Sequence, residues 1–386
     1  MPEIAQLPFD DSENPMSITT TPNDHLDRVA LTPFTSGTTG MPKAVPRTVK
    51  NMCAGAASIV AGTRNTHDAV HPPVGLILGS SFASMTSTIA YSYWYMGGTA
   101  VIADERFSRA ATLRVIETCR VSILAVMRSH IALLCEGRDL SPERVKSVKY
   151  VVVTGEIIIA SFLKKAQEAF PSAVVSGTYR MTEGNGLFGW EHGQPNPVPT
   201  WGDVVSCGRS MAATRMRLVS REAGTVVKRG EQGELHAGSD SFVDRYVDKS
   251  DPKSETGAFY EDTHGKRWFR TGDIAILDDA DNAFVVGRAS ETVKSLTGSF
   301  LSFIVESCIA MYLDVEVHVI GIPSPMHGEL LYAIIDYLGE DNATGVRPRR
   351  HHQLGAVGVG DVAHDCHGED GQNLSSKLDD GISAKQ

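Results

Sequence analysis

Apolar and polar positions along the chain fall into blocks that read as alternating strands and helices. Val121–Val126 and Tyr150–Val153 are short, continuous apolar runs rich in β-branched residues, the pattern of strands buried on both faces. Ala173–Ser176 predicts a further short strand. Thr99–Ala103 predicts another, after a helix over the TIAYSYWYM segment that stops at Gly97-Gly98, because glycine commonly follows a helix end. Helical spacing of Ala111, Val115, Ile116 and Cys119 predicts a helix over Ser108–Cys119. Ser129–Glu136, Ser161–Phe170 and the small-residue-rich Asn51–Ala61 read as helices as well, and a strand over 30–35 leads into a Gly/Ser/Thr loop. Strand–helix–strand alternation of this kind builds an α/β sheet covered on both faces. The aromatic cluster Tyr91–Tyr95 reads as core packing.

The chain ends read differently. Residues 1–29 form a polar lead-in, and residues 340–386, poor in large apolar side chains and rich in Gly, Asp and His, read as a disordered tail. Within the tail, His364, Asp365, Cys366 and His367 lack a second spaced ligand pair, so they read as solvated rather than metal-binding. No internal repeat is found.

Composition narrows the function classes. With 386 residues and 42% apolar content, the chain can fill the core of two domains, or of one large domain with an appendage. The 36 basic and 46 acidic side chains give −10 with no basic block, which argues against a nucleic-acid or anionic-membrane surface. No apolar run approaches the roughly 18 residues of a spanning helix. The acidic start MPEIAQLPFDDSENP lacks the pattern of a signal peptide. Cys53, Cys119, Cys135, Cys207, Cys308 and Cys366 form no C-x-x-C and read as reduced, buried thiols. A cytoplasmic protein is expected.

Three stretches carry candidate chemistry. In Leu31–Asn51, the run Thr35-Ser36-Gly37-Thr38-Thr39-Gly40-Met41-Pro42-Lys43 sets hydroxyls and glycines ahead of a lysine. Glycine lets backbone N–H groups approach an anion, hydroxyls add donors, and Lys43 adds a mobile positive charge. A surface turn has the same composition, and the spacing is not that of a Walker A loop. In Gly177-Thr178-Tyr179-Arg180-Met181-Thr182-Glu183, a strand end offers Tyr179 as a flat face for adenine, Thr182 as a hydroxyl for phosphate and Glu183 as a hard oxygen for Mg2+. In Thr271-Gly272-Asp273, an aspartate at a strand start can accept hydrogen bonds from both ribose hydroxyls. Each of these patterns also suits an ordinary turn.

Taken together and in order, these segments resemble the adenylate-forming superfamily. That group includes acyl-CoA synthetases, aryl-CoA ligases, luciferases and peptide-synthetase adenylation domains. TSGTTGMPKAV resembles its phosphate-binding signature, and TYRMTE its Y-G-M-T-E motif, with Arg180 where the family has glycine and where a bulky cation would crowd the base or the acyl chain. GELHAG is similar to G-E-L-x-x-G, and WFRTGD to [YF]-R-T-G-D. Gly287–Gly298 resembles the hinge G-R-x-x-D-x-[IV]-K-x-x-G, with Glu291 in place of aspartate. The usual aromatic- or histidine-bearing motif before the acid-lining helix is not found in LGSSFASMTST.

The resemblance implies an incomplete adenylate-forming large domain of layered α/β sheets over 30–286, followed by a hinge and the start of a small α+β lid over 287–339. It implies that Thr35, Ser36, Gly37, Thr38, Thr39, Gly40, Lys43, Gly177, Thr178, Tyr179, Thr182, Asp273, Arg288 and Lys294 contact the nucleotide. Lys43, Thr182 and Glu183 would serve catalysis, with Glu183 on the metal. ATP, Mg2+ and CoA are the implied cofactors and co-substrates. The implied reaction is activation of a carboxylic acid as an acyl-adenylate, then thioester formation with CoA or a carrier protein's pantetheine.

Only about thirty residues precede the loop, where family members carry a long N-terminal portion. Lys377 and Lys385 do not match the family's lid-lysine segment. A middle section, about 30–338, of a longer enzyme is therefore expected, and the tail's abrupt composition suits an out-of-frame or mis-spliced ending. The alternatives are a truncated non-catalytic relative, or an adenylation domain of a peptide-synthetase-like or carboxylate-reductase-like protein that loads a carrier protein.

Overall fold

The computed structural model describes residues 25–35, 42–63, 72–78, 84–102, 107–135, 139–190, 194–247, 257–295, 298–303, 305–306, 317–324, 328–337 and 353–358. Its first layer is a five-stranded, all-parallel sheet in the order Thr99–Ile102, Val74–Ile77, Ile123–Val126, Tyr150–Val153, Val174–Gly177. The period-two alternation of strand side chains divides its apolar residues between two cores. Leu76, Leu124, Val126, Val151 and Val153 face one way, against Leu113 and Ile116 of the helix Arg109–Cys119 and Ala166 of the helix Ala160–Ala169. Ile77, Ile123 and Ala125 face the other, against Ile89, Ala90 and Tyr93 of the helix Ser84–Tyr95. The predicted elements of this layer all form, most with ends shifted by a residue or two, while the helix expected over TIAYSYWYM begins four residues earlier, at Ser84. Ser108 caps the helix Arg109–Cys119, accepting a hydrogen bond from the Ala111 amide through its side chain.

Close approach in the second of these cores depends on a glycine. A Cβ on Gly75 would lie 2.0 Å from Cε2 of Tyr93, a ring only 5% exposed. Gly75→Ala must therefore displace the helix Ser84–Tyr95, and a loss of about 1–3 kcal/mol is expected in urea or thermal unfolding.

The aromatic cluster divides. Tyr93 is core, whereas Tyr91, Trp94 and Tyr95 are 45%, 53% and 68% exposed, so the expectation of core packing holds for one helical face only. The four residues are near neighbours on a 3.6-residue repeat, and one face cannot hold them all. The thiols also differ from expectation: Cys53 and Cys135 are free and exposed.

The second layer is an antiparallel sheet in the order Arg215–Val219, Gly233–Gly238, Arg267–Leu277, Phe259–Glu261, with Ala283–Arg288 also paired to Arg267–Leu277. Ala275, Ala283 and Val285 pack on one side with Leu187, Phe188, Leu218 and Leu235, while Ile274, Ile276, Phe284 and Val286 pack on the other with Val204 and Leu301. A small sheet links the layers, with strands Tyr179–Met181, Asn185–Gly189 and Arg209–Ser210. The stretch after Glu183 is rich in turn formers, Gly, Asn and Pro. Asn185–Gly189 is instead a fully buried strand, because Leu187 and Phe188 complete the core between the layers.

A third antiparallel sheet follows, ordered Gly298–Leu301, Thr292–Ser295, Gly328–Tyr337, Val317–Ser324, with Gln353–Gly358 added on Gly328–Tyr337. Within the segment 340–386 only Gln353–Gly358 is described, and it pairs by its main chain along Gly328–Tyr337, which needs no large apolar side chains. The cluster His364–His367 lies outside the described residues, as do Cys308 and Cys366. No described helix is long and apolar enough to cross a membrane.

Candidate active site

The strands Tyr150–Val153 and Val174–Gly177 end side by side, and the residues that follow them open onto a cavity of about 1010 Å³. Ligands of open parallel sheets bind in this position, outside the carboxyl ends of the strands. The far wall comes from the antiparallel sheet, through Thr271, Gly272, Asp273, Val285, Gly287 and Arg288.

Asp273 stands in the middle of the long strand Arg267–Leu277 rather than at a strand start, as the sequence suggested. The register breaks beside it: Glu234 faces Ile274 but His236 faces Arg270, so Thr271–Asp273 bulge out of the ladder. Gly272, with φ of +74°, makes the bulge possible. Thr271 anchors it by donating its hydroxyl to the Leu235 carbonyl (2.8 Å) and accepting the Asp273 amide (3.0 Å). The bulge turns the Asp273 carboxylate into the cavity. One oxygen meets Arg288 Nε at 3.1 Å, and the other accepts the Tyr179 hydroxyl. Burial raises the Asp273 carboxyl above its usual range, against the pull of Arg288 and Tyr179. Burial and the neighbouring Asp273 carboxylate push the Tyr179 hydroxyl well up, so it stays protonated and donates.

The mouth of the Gly/Ser/Thr loop is pinned on the opposite side. Phe34 and Ala44 form a bridge, the Thr35 amide donates to the Lys43 carbonyl (3.0 Å), and the Lys43 amide donates to Thr35 Oγ1 (3.0 Å). Ser36, Gly37, Thr38, Thr39 and Gly40 lie outside the described residues. Thr35 and Lys43 line the cavity, and Lys43 Nζ stands 4.9 Å above the centroid of the Tyr246 ring. Tyr246 donates its hydroxyl to Glu183 Oε1 at 2.7 Å, tying the lysine and the carboxylate to one ring. Tyr246 was not foreseen, because it belongs to no recognisable motif.

Gly177, Thr178, Tyr179, Thr182 and Glu183 all line the same cavity. Thr182 is held through its carbonyl, which accepts Nε of the fully buried Arg47 at 3.1 Å. Arg47 was also missed, since a single arginine past the lysine offers no spacing cue. Burial pulls its guanidinium down to about 10. Lys294 falls on the strand Thr292–Ser295 opposite Ser299, and the contact expected of its side chain lies outside what is described.

The cavity thus gathers the loop ends, the strand-end segment and the bulge on one space. A family model described as AMP-binding enzyme matches residues 2–247. The chain belongs to the AMP-binding enzyme family. Among its relatives, it is 28% identical over 317 residues to the acyl–CoA ligase GME11374 of Pestalotiopsis microspora, covering 82% of this chain and 53% of that protein. It is 28% identical over 273 residues to 4-coumarate-CoA ligase 2 of Narcissus pseudonarcissus, covering 69% and 46% respectively. The chain therefore spans about half the length of the curated relatives it matches. Its fold is similar to that of ATP-bound MatB from Rhodopseudomonas palustris, with a TM-score of 0.70 at 20% identity, covering 83% of this chain and 60% of that one. It is likewise similar to the o-succinylbenzoate coenzyme A synthetase MenE of Bacillus subtilis in complex with ATP and magnesium, with a TM-score of 0.67 at 23% identity, covering 81% and 60%.

Within this AMP-binding fold, the described residues hold no group of three or more His, Cys, Asp or Glu able to grip a metal unaided. Glu183 offers one carboxylate to the cavity. That donor set fits Mg2+, which keeps much of its shell as water and substrate phosphate around one or two carboxylates.

Proposed function

We propose that this chain carries the adenylate-forming site of an acid–thiol ligase, activating a carboxylic acid with ATP and passing the acyl group to CoA. The observation that supports it best is the convergence of Lys43, Glu183, Asp273 and Arg288, from four separate segments, on one cavity at the carboxyl ends of parallel strands. The relatives named as CoA ligases and the ATP-bound neighbours support the same reading.

In the first half-reaction a carboxylate oxygen of the acid attacks the α-phosphorus of ATP. The bond to the bridging oxygen breaks, and pyrophosphate leaves. In the second, the thiol sulfur attacks the acyl carbon, its proton is lost to solvent, and the bond to AMP breaks. Such transfers depend mainly on positioning and on neutralising charge. Asp273, fixed by Tyr179 and Arg288, accepts the ribose hydroxyls; Tyr179 presents its ring to the base. Thr35, Thr178, Thr182 and Lys43 face the phosphates, with Lys43 as the mobile cation, and the intervening Ser36–Gly40 add backbone and hydroxyl donors. Glu183 would hold Mg2+, which when bound neutralises phosphate charge. The segment 287–298, which contains Lys294, acts as the hinge that joins the large domain, 30–286, to the start of the lid within 287–339.

ATP–pyrophosphate exchange across a panel of carboxylic acids tests the first step. Thioester formation from a supplied acyl-adenylate, with CoA and with a carrier-protein pantetheine in parallel, tests the second. Acid-dependent exchange and a preference for CoA are expected. A folded chain that supports neither half-reaction with any acid would overturn the proposal, leaving a non-catalytic relative.

A further inference from the structure

We propose that Arg180 adapts this site to carboxylic acids bearing a second anionic group, which seats in a small polar cavity beside it. The proposal rests on the acid-activating function above and adds a substrate class to it.

Three cavities meet at Arg180, on the strand Tyr179–Met181. One is the large nucleotide-sized space. A second, of about 100 Å³, is mostly apolar, with Ile89, Tyr93, Met96 and Met211 in its wall. The third, of about 120 Å³, is lined by the hydroxyls of Ser84, Thr88 and Thr154, by Asn185 and by Arg180 itself. Gly155, Met181 and Thr182 line both the third cavity and the large one, so the two adjoin. An acid whose reacting carboxylate lies beside Thr182 therefore has only a short way to reach the polar cavity with its other end.

The charge balance there lacks an anion. Among the described residues, no Asp or Glu lines the polar or the apolar cavity. The Arg180 guanidinium makes one hydrogen bond, from Nε to Thr178 Oγ1 at 3.3 Å, and no ion pair is found for it among those residues. Directly behind the polar cavity stands Arg47, 0% exposed, whose Nη1 donates to Thr88 Oγ1 (2.7 Å) and Asn185 Oδ1 (2.6 Å). Arg47 Nη2 has no acceptor, and neither has Nδ2 of Asn185, 3% exposed, which packs against Gly55. Glu183 acts on Arg47 through space, but its hydrogen bond goes to Tyr246. Arg180 and the hydroxyls of Ser84, Thr88 and Thr154 thus line a space without a counter-charge, with the Arg47 charge one hydrogen bond behind Thr88. Leaving a charge without a partner in such a space is costly, and an entering carboxylate would give Arg180 charge-assisted hydrogen bonds. Where glycine would leave an open passage, Arg180 closes it to a plain hydrocarbon tail and opens it to an anion.

Succinate and butyrate share a chain length and differ in the second carboxylate. Both would be titrated calorimetrically into the full chain with ATP present, using wild type, Arg180→Gln and Arg180→Lys, with pyrophosphate exchange measured alongside. Succinate should bind wild type about 10- to 100-fold more tightly than butyrate. Arg180→Gln should erase that preference, and Arg180→Lys should keep part of it, each in a chain that still melts in one cooperative transition. Succinate bound in this Arg180-dependent way while exchange is silent would support the anion site and count against acid activation alone. Equal binding of the two acids, no binding of succinate, or a preference that Arg180→Gln leaves intact would overturn the proposal.

Discussion

Asp273→Ala is expected to weaken ATP binding by about 100- to 1000-fold, the loss of two charge-assisted hydrogen bonds. The carboxylate is 5% exposed and held from both sides, by Arg288 Nε and by the Tyr179 hydroxyl, so its orientation is set before any ligand arrives. A preoriented acceptor spends little ordering entropy on binding, which makes its removal expensive. Asp273→Asn separates charge from shape. It keeps an acceptor for Tyr179 but places an amide where the second ribose hydroxyl would donate. Its loss should approach that of alanine if the charge matters. Displacement of a fluorescent ATP analogue gives both numbers, and a full-strength affinity in either variant would remove Asp273 from the site.

The second large effect concerns Glu183. Glu183→Gln should lower the pyrophosphate-exchange rate by about 100- to 1000-fold, the size seen when one preorganised electrostatic group is lost from a transition state. Glutamine can still accept the Tyr246 hydroxyl that now reaches Glu183 Oε1, so the local packing survives. What disappears is the hard anionic oxygen offered to Mg2+. The rate should stay low as Mg2+ is raised, because the position of the ion is lost along with its affinity. A rate within threefold of wild type would show that the carboxylate is structural.

The fold was legible wherever burial imposes a period. Tyr150–Val153 announces a buried parallel strand by composition, and it forms with those bounds. Asn185–Gly189 was hidden because two glycines and an asparagine read as turn formers, while Leu187 and Phe188 are too short a signal to outweigh them. The aromatic run misled in the opposite sense: its hydrophobicity promised core, but helical geometry leaves Tyr91, Trp94 and Tyr95 outside.

The candidate site was legible through motif order. Thr35, Lys43, Gly177, Thr178, Tyr179, Thr182, Glu183, Asp273 and Arg288 are all brought to one cavity. Tyr246 and Arg47 were invisible because their importance comes from tertiary neighbours: a carboxylate for one, a carbonyl and an asparagine for the other. Arg180 was visible only as a departure from a motif. Its meaning depends on the polar cavity beside it, which no spacing in the sequence encodes.

The large cavity is proposed as an acyl-adenylate site. The most direct test is calorimetric titration of the full chain with a non-hydrolysable acyl-adenylate mimic, in competition with ATP·Mg2+. One saturable site is predicted, shared with ATP and lost in Asp273→Ala. A folded chain that binds neither ligand, or binds them equally well without Asp273, would contradict it.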